Sequence, residues 1–234
     1  MSKYRIAELL IEICPNYDYT KQLCRPYKVD SEQEPDMYVA VTEQEILAEQ
    51  VPDVQHSPGY LESLAIYRKI AEHLADFDGF LAHGAVIAKD GHAYMFCAPS
   101  GTGKTTHVRL WQELYPDALM VNGDKPIIRK KGDKWMAYGT PWAGKEGMQT
   151  NTGVPLCGIC TLQRGQINRI SPIDPEQRLT ALARHVYFPH DARAAKTVSL
   201  VAVACSAIPM YSLYCNISQD AAQLSYQTMT KENV

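Results

Sequence analysis

A glycine- and hydroxyl-rich segment, residues 98–106 (APSGTGKTT), carries the clearest chemistry in the sequence. It matches the phosphate-binding pattern G-x-x-x-x-G-K-[ST] at its second glycine, its lysine and the next threonine, although Ala98 replaces the first glycine. Successive backbone N–H groups of such a loop form an anion-binding nest, and the N-terminus of the following helix adds positive charge. The residues that we expect to bind polyphosphate are Ser100, Gly101, Thr102, Gly103, Lys104, Thr105 and Thr106.

The lysine of this segment and the threonine after it have separate predicted roles. In loops of this kind the lysine ammonium contacts the β- and γ-phosphates, and the next hydroxyl ligates Mg²⁺. Lys104 and Thr105 occupy these two positions. The spacing therefore predicts a site for a nucleoside triphosphate together with Mg²⁺.

A carboxylate follows the next predicted strand. Phosphoryl transfer requires an acid near the metal ion, at the end of a strand beside the loop. Asp124 comes directly after a predicted strand over residues 119–122 and is our candidate for a catalytic residue and a metal ligand. The tripeptide Asn122-Gly123-Asp124 is also typical of a turn, so a purely structural aspartate is the alternative.

The elements that must position these residues can be predicted from apolar patterns. Asp-Gly between the apolar runs 81–88 and 92–97 indicates a hairpin that leads into the loop, and a second hairpin is predicted over 126–129 and 134–138. Ser57-Pro58 is typical of a helix start, and apolar residues then recur every three or four positions to residue 77. Further elements are predicted as strand 156–163, helix 175–188 with a capping box at Asp174, strand 210–215 and helix 219–229.

The N-terminal residues 1–55 differ in character from the rest of the chain. They are polar and rich in tyrosine, with short extended stretches at 4–13 and 37–41 around an acidic loop. We therefore predict a partly β N-terminal layer over residues 1–55 and a catalytic domain over residues 56–234. The fold class is α/β.

Composition and charge exclude several classes of protein. The net charge is -3, with 23 basic and 26 acidic residues. Proteins that bind nucleic acid through its phosphates usually have more basic than acidic residues. The longest apolar stretch, residues 198–215, is interrupted by Ser206 and Pro209 and is too short for a membrane span. No signal peptide is recognisable. We therefore expect a cytoplasmic protein that binds neither nucleic acid nor membranes.

Two of the seven cysteines, Cys157 and Cys160, have C-x-x-C spacing. A structural zinc site would need a second pair of ligands, and a redox pair would open a helix. Residues 155–162 (PLCGICTL) have instead the pattern of an apolar strand, in which residues three apart point to opposite faces. We therefore predict two small core residues.

Taken together, His83-Gly84, the segment 99–106 and Asp124 resemble the catalytic domain of HPr kinase/phosphorylase. The same class of P-loop occurs in ATP-dependent phosphoenolpyruvate carboxykinase. The sequence is most similar to small HPr-kinase-like proteins, some encoded with ribosomal peptide biosynthesis genes and including kinases of lasso-peptide precursors. The resemblance runs from about residue 61 to the C-terminus. It implies an HPr kinase/phosphoenolpyruvate carboxykinase-like P-loop fold with a small β-rich N-terminal layer.

The resemblance implies an ATP- and Mg²⁺-dependent kinase. It would transfer the γ-phosphoryl group to a hydroxyl, foremost a serine of a peptide or small protein such as a ribosomal-peptide precursor. His83 matches the family's histidine near the active site. Two adjacent aspartates follow the P-loop helix in that family, whereas Gly123 replaces the first one here and leaves Asp124 alone. The alternatives are a nucleotide-binding module without transfer activity and a small-molecule kinase, and the oligomeric state is not predicted.

The remaining polar residues are interpreted mainly as structural. The loop 139–146 could place Lys145 over the phosphates, or it could be a tight turn with Trp142 packed inside. Lys125 could be a second phosphate contact and His107 could approach the nucleotide, but both are interpreted first as solvent-exposed, as is the basic hairpin run 129–131. A polar group at the end of the helix that begins at residue 175 could bind an acidic substrate or a metal, but it is interpreted first as structural, since cations near a helix C-terminus are favourable. Its members are Arg184, His185, His190, Asp191 and Arg193.

Overall fold

Residues 1–231, which the computed structural model describes, contain a small N-terminal sheet and a larger second sheet. The small sheet has the order β3-β1-β2-β4. Its first two strands form a tight hairpin, because Ala7 and Glu8 both adopt positive φ angles between them. The stretch predicted as extended over 4–13 is therefore two strands. The strands are β1 (Ser2–Ile6), β2 (Leu9–Ile13), β3 (Lys28–Val29) and β4 (Met37–Val39).

Three helices accompany this sheet, namely α1 (Asp18–Cys24), α2 (Glu43–Ala48) and α3 (Pro58–His73). The predicted start of α3 is confirmed, because the Ser57 side chain caps the helix by accepting a hydrogen bond from the backbone N–H of Tyr60. Ile66 and Ile70 of α3 are fully buried with Ile11 of the sheet in one apolar cluster. The N-terminal layer is thus anchored to α3 by apolar packing.

The second sheet has nine strands, and it carries the glycine loop, as we call residues 98–106. Seven strands run in the order β5-β9-β10-β11-β7-β6-β8, and β13 pairs with both β11 and β12. Both predicted hairpins, β6-β7 and β9-β10, are present. The strands are β5 (Gly79–Leu81), β6 (Ala85–Lys89), β7 (His92–Cys97), β8 (Leu119–Asn122), β9 (Ile127–Lys131), β10 (Lys134–Tyr138), β11 (Gly153–Arg164), β12 (Arg169–Pro172) and β13 (Met210–Cys215).

Four helices cover the two faces of this sheet, namely α4 (Lys104–Leu114), α5 (Pro175–Ala183), α6 (Arg193–Ala207) and α7 (Gln219–Thr230). Neighbouring residues of β6 point to opposite faces, so that Val86 packs with α5 and α6 while Ile87 packs with α4 and α7. Strands β7, β11 and β13 are parallel, with Cys97 level with Thr161 and Thr161 level with Ser212. Their carboxyl ends therefore meet at one edge, where the glycine loop begins.

Two predictions about the C-terminal half are wrong, and two elements there were not predicted. The helix predicted over 175–188 ends at Ala183, and the Asp174 side chain makes no capping hydrogen bond. The apolar stretch 198–215 contains most of the unpredicted helix α6, a bend at Pro209 and strand β13. Strand β12 was also not predicted. None of the helices within residues 1–231 combines the length and apolar character needed to cross a membrane.

The prediction that Cys157 and Cys160 point to opposite faces is also wrong. The pairing register of β11 shifts between Leu156 and Gly158, which is the signature of a bulge. Because of this shift, both cysteines pack against the same apolar cluster, whereas Ile159 packs on the other face. Burial raises the pKa of both thiols.

Candidate active site

The glycine loop connects β7 to α4 and depends on two glycines for its path. Gly101 and Gly103 have φ angles of 76° and 121°, which residues with a Cβ rarely adopt. A Cβ atom at either position would meet no other atom within 4 Å, so the requirement is conformational rather than steric. The backbone N–H of Thr102 donates to the carbonyl of Pro99, which closes the turn. The N-terminus of α4 then follows immediately.

Lys104, the first residue of α4, is directed back under the glycine loop. Its side chain is only 8% exposed, and Nζ donates a hydrogen bond of 2.8 Å to the carbonyl of Ala98. Residue 98 takes part in this contact through its backbone carbonyl alone. Alanine in place of the usual glycine therefore does not disturb it. Burial lowers the pKa of Lys104, and the negative charge of Asp124 partly opposes this shift.

The two threonines that follow, Thr105 and Thr106, are half-buried at the start of α4. Neither hydroxyl makes a hydrogen bond to any other residue of the described chain 1–231. Both are therefore available for a ligand at the glycine loop. The structure thus leaves polar groups without a protein partner where the sequence predicts phosphate and metal contacts.

Asp124 lies just beyond β8 and is held by a buried asparagine. Oδ1 of Asn122 accepts hydrogen bonds from the backbone N–H groups of Asp124 and Lys125, at 2.9 and 2.7 Å. The amide of Asn122 in turn donates to Thr140. This arrangement is the turn predicted as the structural alternative, and it fixes the backbone from which the carboxylate projects.

The Asp124 carboxylate has two basic partners. Its Oδ1 lies 3.1 Å from Nε2 of His83, and its Oδ2 lies 3.6 Å from Nζ of Lys125. Burial raises the pKa of Asp124, but the hydrogen bond from His83 and the charges of Lys125 and Lys104 outweigh it, so that the pKa lies below its ordinary value. Lys125, which was interpreted as solvent-exposed, is part of this site instead.

The position before Asp124 leaves little room for a side chain. A Cβ atom at Gly123 would lie 3.0 Å from the carbonyl oxygen of Ala143 and 3.3 Å from that of Met148. The backbone N–H of Gly123 donates to the same Met148 carbonyl. The segment from residue 143 to 148 therefore occupies the space that a longer side chain at 123 would need.

The loop 139–146 lies against the site and is anchored from two sides. Trp142 is buried, donates from Nε1 to the carbonyl of Ser63 and contacts the ring of Tyr67. Glu146 forms an ion pair with Arg109 of α4. The packed-turn interpretation of Trp142 is confirmed, while Lys145 is exposed to solvent.

His185 was interpreted as structural, yet it lies beside His83. The backbone N–H of His83 donates to the His185 carbonyl at 2.7 Å, and the two ring centroids are 6.4 Å apart. Because α5 ends early, the segment after it can pair with the chain next to β5 through a bridge between Ala82 and Val186. Burial and the charges of His83 and Lys104 lower the pKa of His185 to about 4, so the imidazole is neutral at pH 7.

His83 and His185 border a cavity of about 180 Å³, which we call the His83 cavity. Its lining includes Tyr67, His83, Arg184, His185 and Tyr187. No sequence pattern predicted it, because its residues come from α3, from the chain after β5 and from the chain after α5. Two other residues predicted at the end of the helix that begins at residue 175 lie outside this cavity: His190 is exposed, and Arg193 pairs with Asp76.

A larger cleft of about 410 Å³, which we call the strand-end cleft, borders the glycine loop at the carboxyl ends of β11 and β13. His107 of α4 lines it and is only 3% exposed, so the interpretation of His107 as a helix-surface residue is wrong.

The interpretation of residues 129–131 as a solvated turn is wrong at Arg129, which is buried and donates to the carbonyls of Phe77 and Ala7.

The side chains near the glycine loop fit a Mg²⁺ ion that is also held by phosphates and water. Residues 1–231 contain no cluster of three or more histidine, cysteine or acidic side chains that could hold a metal ion. Mg²⁺ is usually bound through one or two carboxylates, substrate phosphates and water. Asp124 and the unpaired hydroxyl of Thr105 fit that donor set.

Comparisons with known proteins find similarity among solved structures alone. No family model matches the sequence, and no curated protein matches it. Among solved structures, the Hpr(Ser) kinase/phosphatase from Coxiella burnetii is similar, with 9% sequence identity, a TM-score of 0.37, and coverage of 65% of this chain and 89% of that chain. Independently of this comparison, residues 1–231 form a mixed α/β fold with a glycine loop and a histidine–aspartate pair.

Proposed function

We propose that this protein is an ATP-dependent phosphotransferase that moves the γ-phosphoryl group to a hydroxyl. The observation that supports it most is the convergence of Lys104, Asp124 and His83. The carboxylate pairs with His83 and interacts electrostatically with the buried lysine of the glycine loop. A loop lysine for the phosphates with a carboxylate nearby is the arrangement that phosphoryl transfer requires.

The glycine loop would bind the triphosphate. Backbone N–H groups of residues 100–106 and the N-terminus of α4 provide donors, and Lys104 exchanges the Ala98 carbonyl for a phosphate oxygen. Lys104 and Lys125 place two positive charges near Asp124, and a polyanion bound there would interact favourably with them. The loop would accelerate transfer by stabilising the negative charge of the phosphates in the transition state, because its hydrogen-bond donors are already oriented.

Thr105 and Asp124 are the residues that would hold Mg²⁺. The ion would supply positive charge to the phosphate oxygens as negative charge develops on the leaving group. The Asn122 turn holds the backbone of Asp124, and His83 holds one carboxylate oxygen, which leaves the other oxygen for this role.

The acceptor hydroxyl would enter through the His83 cavity. The oxygen of this hydroxyl would form a bond to the γ-phosphorus. The bond from that phosphorus to the β–γ bridging oxygen would break, and ADP would leave. The proton of the hydroxyl passes to the Asp124 carboxylate, while His83 holds that carboxylate through Nε2. Asp124 would therefore act as the base and His83 would position it.

A serine of a peptide or small protein is the first candidate for the acceptor. A volume of about 180 Å³ accommodates one side chain rather than a large ligand. The second candidate is a small hydroxyl compound with an anionic group, because Arg184 lines the same cavity and would pair with that group.

The test is a transfer assay with γ-labelled ATP, Mg²⁺ and a panel of hydroxyl acceptors, in wild type and in Lys104→Ala. We expect label on an acceptor with the wild type and none with the variant, while the variant keeps the wild-type circular dichroism spectrum. ATP binding without consumption of ATP would favour the nucleotide-binding module instead. Transfer at the wild-type rate by Lys104→Ala would contradict the assignment of the loop.

A further inference from the structure

Residues 144–147 form a tight turn beside Asp124. The backbone N–H of Gly147 donates to the carbonyl of Gly144 at 3.2 Å, and both glycines have positive φ angles. Lys145 and Glu146 are therefore the two central residues of this turn. The transfer step described above uses neither of their side chains.

The 144–147 turn is held from two directions. Gly144 packs on the side chain of Asp124, since a Cβ atom at position 144 would lie 3.2 Å from Cβ of Asp124 and 3.8 Å from its Oδ2. Glu146 forms an ion pair with Arg109 of α4. The turn is thus fixed relative to both the candidate base and the helix that follows the glycine loop.

The ion pair with α4 places the turn over a particular face of that helix. Residues four apart share a face of a helix, and helical side chains lean toward the helix N-terminus. Arg109 comes four residues after Thr105, so it reaches from its own position back toward the Thr105 hydroxyl. Glu146 therefore attaches the turn to the face that carries Thr105.

The other contact of the turn lies toward one oxygen of Asp124. Oδ1 contacts His83, whereas Gly144 lies toward Oδ2. The turn thus extends from Oδ2 to the helix face that carries Thr105, the two groups proposed to hold Mg²⁺. Lys145 comes between these two contacts and lies next to the gap in which the γ-phosphate would bind.

The side chain of Lys145 is free to enter this gap. It is exposed, and within residues 1–231 it forms no ion pair or hydrogen bond. In contrast, Lys104 donates to the Ala98 carbonyl, and Lys125 pairs with Asp124. An unpaired cation on a backbone that is held on both sides can bind an anion without breaking a contact within the protein.

We propose that Lys145 is a catalytic residue that donates hydrogen bonds to the γ-phosphoryl oxygens during transfer. This inference rests on the proposed function. In phosphoryl transfer the negative charge of the moving group is spread over its three equatorial oxygens, and a cation placed beside them stabilises the transition state. Lys145 exchanges no proton in this step, because Asp124 takes the proton of the acceptor.

The experiment measures the binding of ADP with aluminium fluoride and Mg²⁺, which mimics the phosphoryl group in flight and requires no acceptor. Titration calorimetry compares wild type with Lys145→Gln. We expect the variant to bind the mimic about 100-fold more weakly and ATP within about threefold of wild type, because the lost donor acts mainly in the transition state. Lys145→Arg, which keeps the positive charge, should recover part of the affinity for the mimic.

Two further variants serve as controls. Lys134→Gln makes the same change at an exposed lysine of β10 and should bind both ligands as wild type does. Glu146→Gln removes the ion pair with Arg109 and should weaken the mimic by about threefold, in keeping with a surface ion pair. It should have no effect when Lys145 is already replaced, and an equal effect in both backgrounds would contradict the placement of Lys145 by the turn.

An unchanged affinity of Lys145→Gln for the mimic would overturn the inference, and so would an equal loss of affinity for ATP. A wild type that binds ATP but binds ADP no more tightly with aluminium fluoride than without it would also overturn it. The proposed function is judged separately, because it fails if wild type binds ATP no more tightly than Lys104→Ala does. Since Lys145 is exposed, its variants should keep the wild-type circular dichroism spectrum.

Discussion

His83 and Asp124 come together because two pairs of strands are interrupted at the same place. β5 pairs with β9 and β6 pairs with β8, so the break between β5 and β6 lies beside the break between β8 and β9. The backbone N–H of Gly84 donates to the Asp124 carbonyl at 3.0 Å, and that of Ala82 donates to Pro126 at 3.1 Å. The 3.1 Å contact between Nε2 of His83 and Oδ1 of Asp124 therefore follows from the sheet itself.

Asp124→Asn tests the role of the carboxylate. We expect phosphoryl transfer to fall at least about 100-fold, because the base and a proposed Mg²⁺ ligand are lost, while ATP binds within a few-fold of wild type when Mg²⁺ is absent. Single-turnover transfer and calorimetry measure the two effects separately. Transfer within tenfold of the wild-type rate would show that another group takes the proton.

His83→Ala should change the pH dependence of transfer as well as its rate. The hydrogen bond from His83 lowers the pKa of Asp124, so its removal raises that pKa. The acid limb of the pH–rate profile should therefore move to higher pH, because Asp124 becomes fully ionised only at a higher pH. His83→Gln, which can still donate to Asp124, should restore part of the shift. An acid limb at the wild-type position in His83→Ala contradicts the coupling.

Lys104→Met separates stability from function. Burial lowers the pKa of Lys104, which means that the folded state disfavours its charge. We expect the variant to melt at the wild-type temperature or above it and to lose transfer completely. Thermal unfolding monitored by circular dichroism provides the first measurement. A clear drop in melting temperature would show that Lys104 stabilises the free protein.

Gly123→Asp tests whether the chain lacks its second aspartate for steric reasons. The Cβ would press on the carbonyl oxygens of Ala143 and Met148. We expect a loss of about 1–3 kcal/mol in the free energy of unfolding and no gain in transfer. Gly123→Ala is the matched control and should show most of the same loss, since the clash begins at Cβ. Increased transfer by Gly123→Asp would show that the site accepts a second carboxylate.

Local patterns were enough to predict the elements that carry the candidate site. β8 and β13 have the predicted bounds, and α4 begins at Lys104 as the motif requires. In each case a short apolar run ends at a turn signal, so the local chain specifies the element. The resemblance carried by His83 and Asp124 likewise named two residues that the structure places in contact.

Features that depend on tertiary packing were missed. α6 lies in an alanine- and valine-rich stretch, and its pattern does not distinguish a buried helix from a strand. His185 reaches the site only because α5 stops at Ala183 and the following chain pairs with Ala82. His107 is buried because α7 brings Ser225 against α4, a contact between residues far apart in sequence.

The burial of His107 predicts how the protein responds to acid. Its pKa of about 4 lies below the ordinary value of 6.5, so the unfolded chain binds a proton between these values that the folded chain does not. Stability from this histidine is therefore complete above about pH 6.5 and is lost as the pH falls toward 4, by on the order of 3 kcal/mol. Urea unfolding at pH 7.5 and 4.5 should show a smaller loss for His107→Gln than for wild type. His190→Gln, at an exposed position, should keep the wild-type loss, and an equal loss in all three proteins would show that other groups control unfolding in acid.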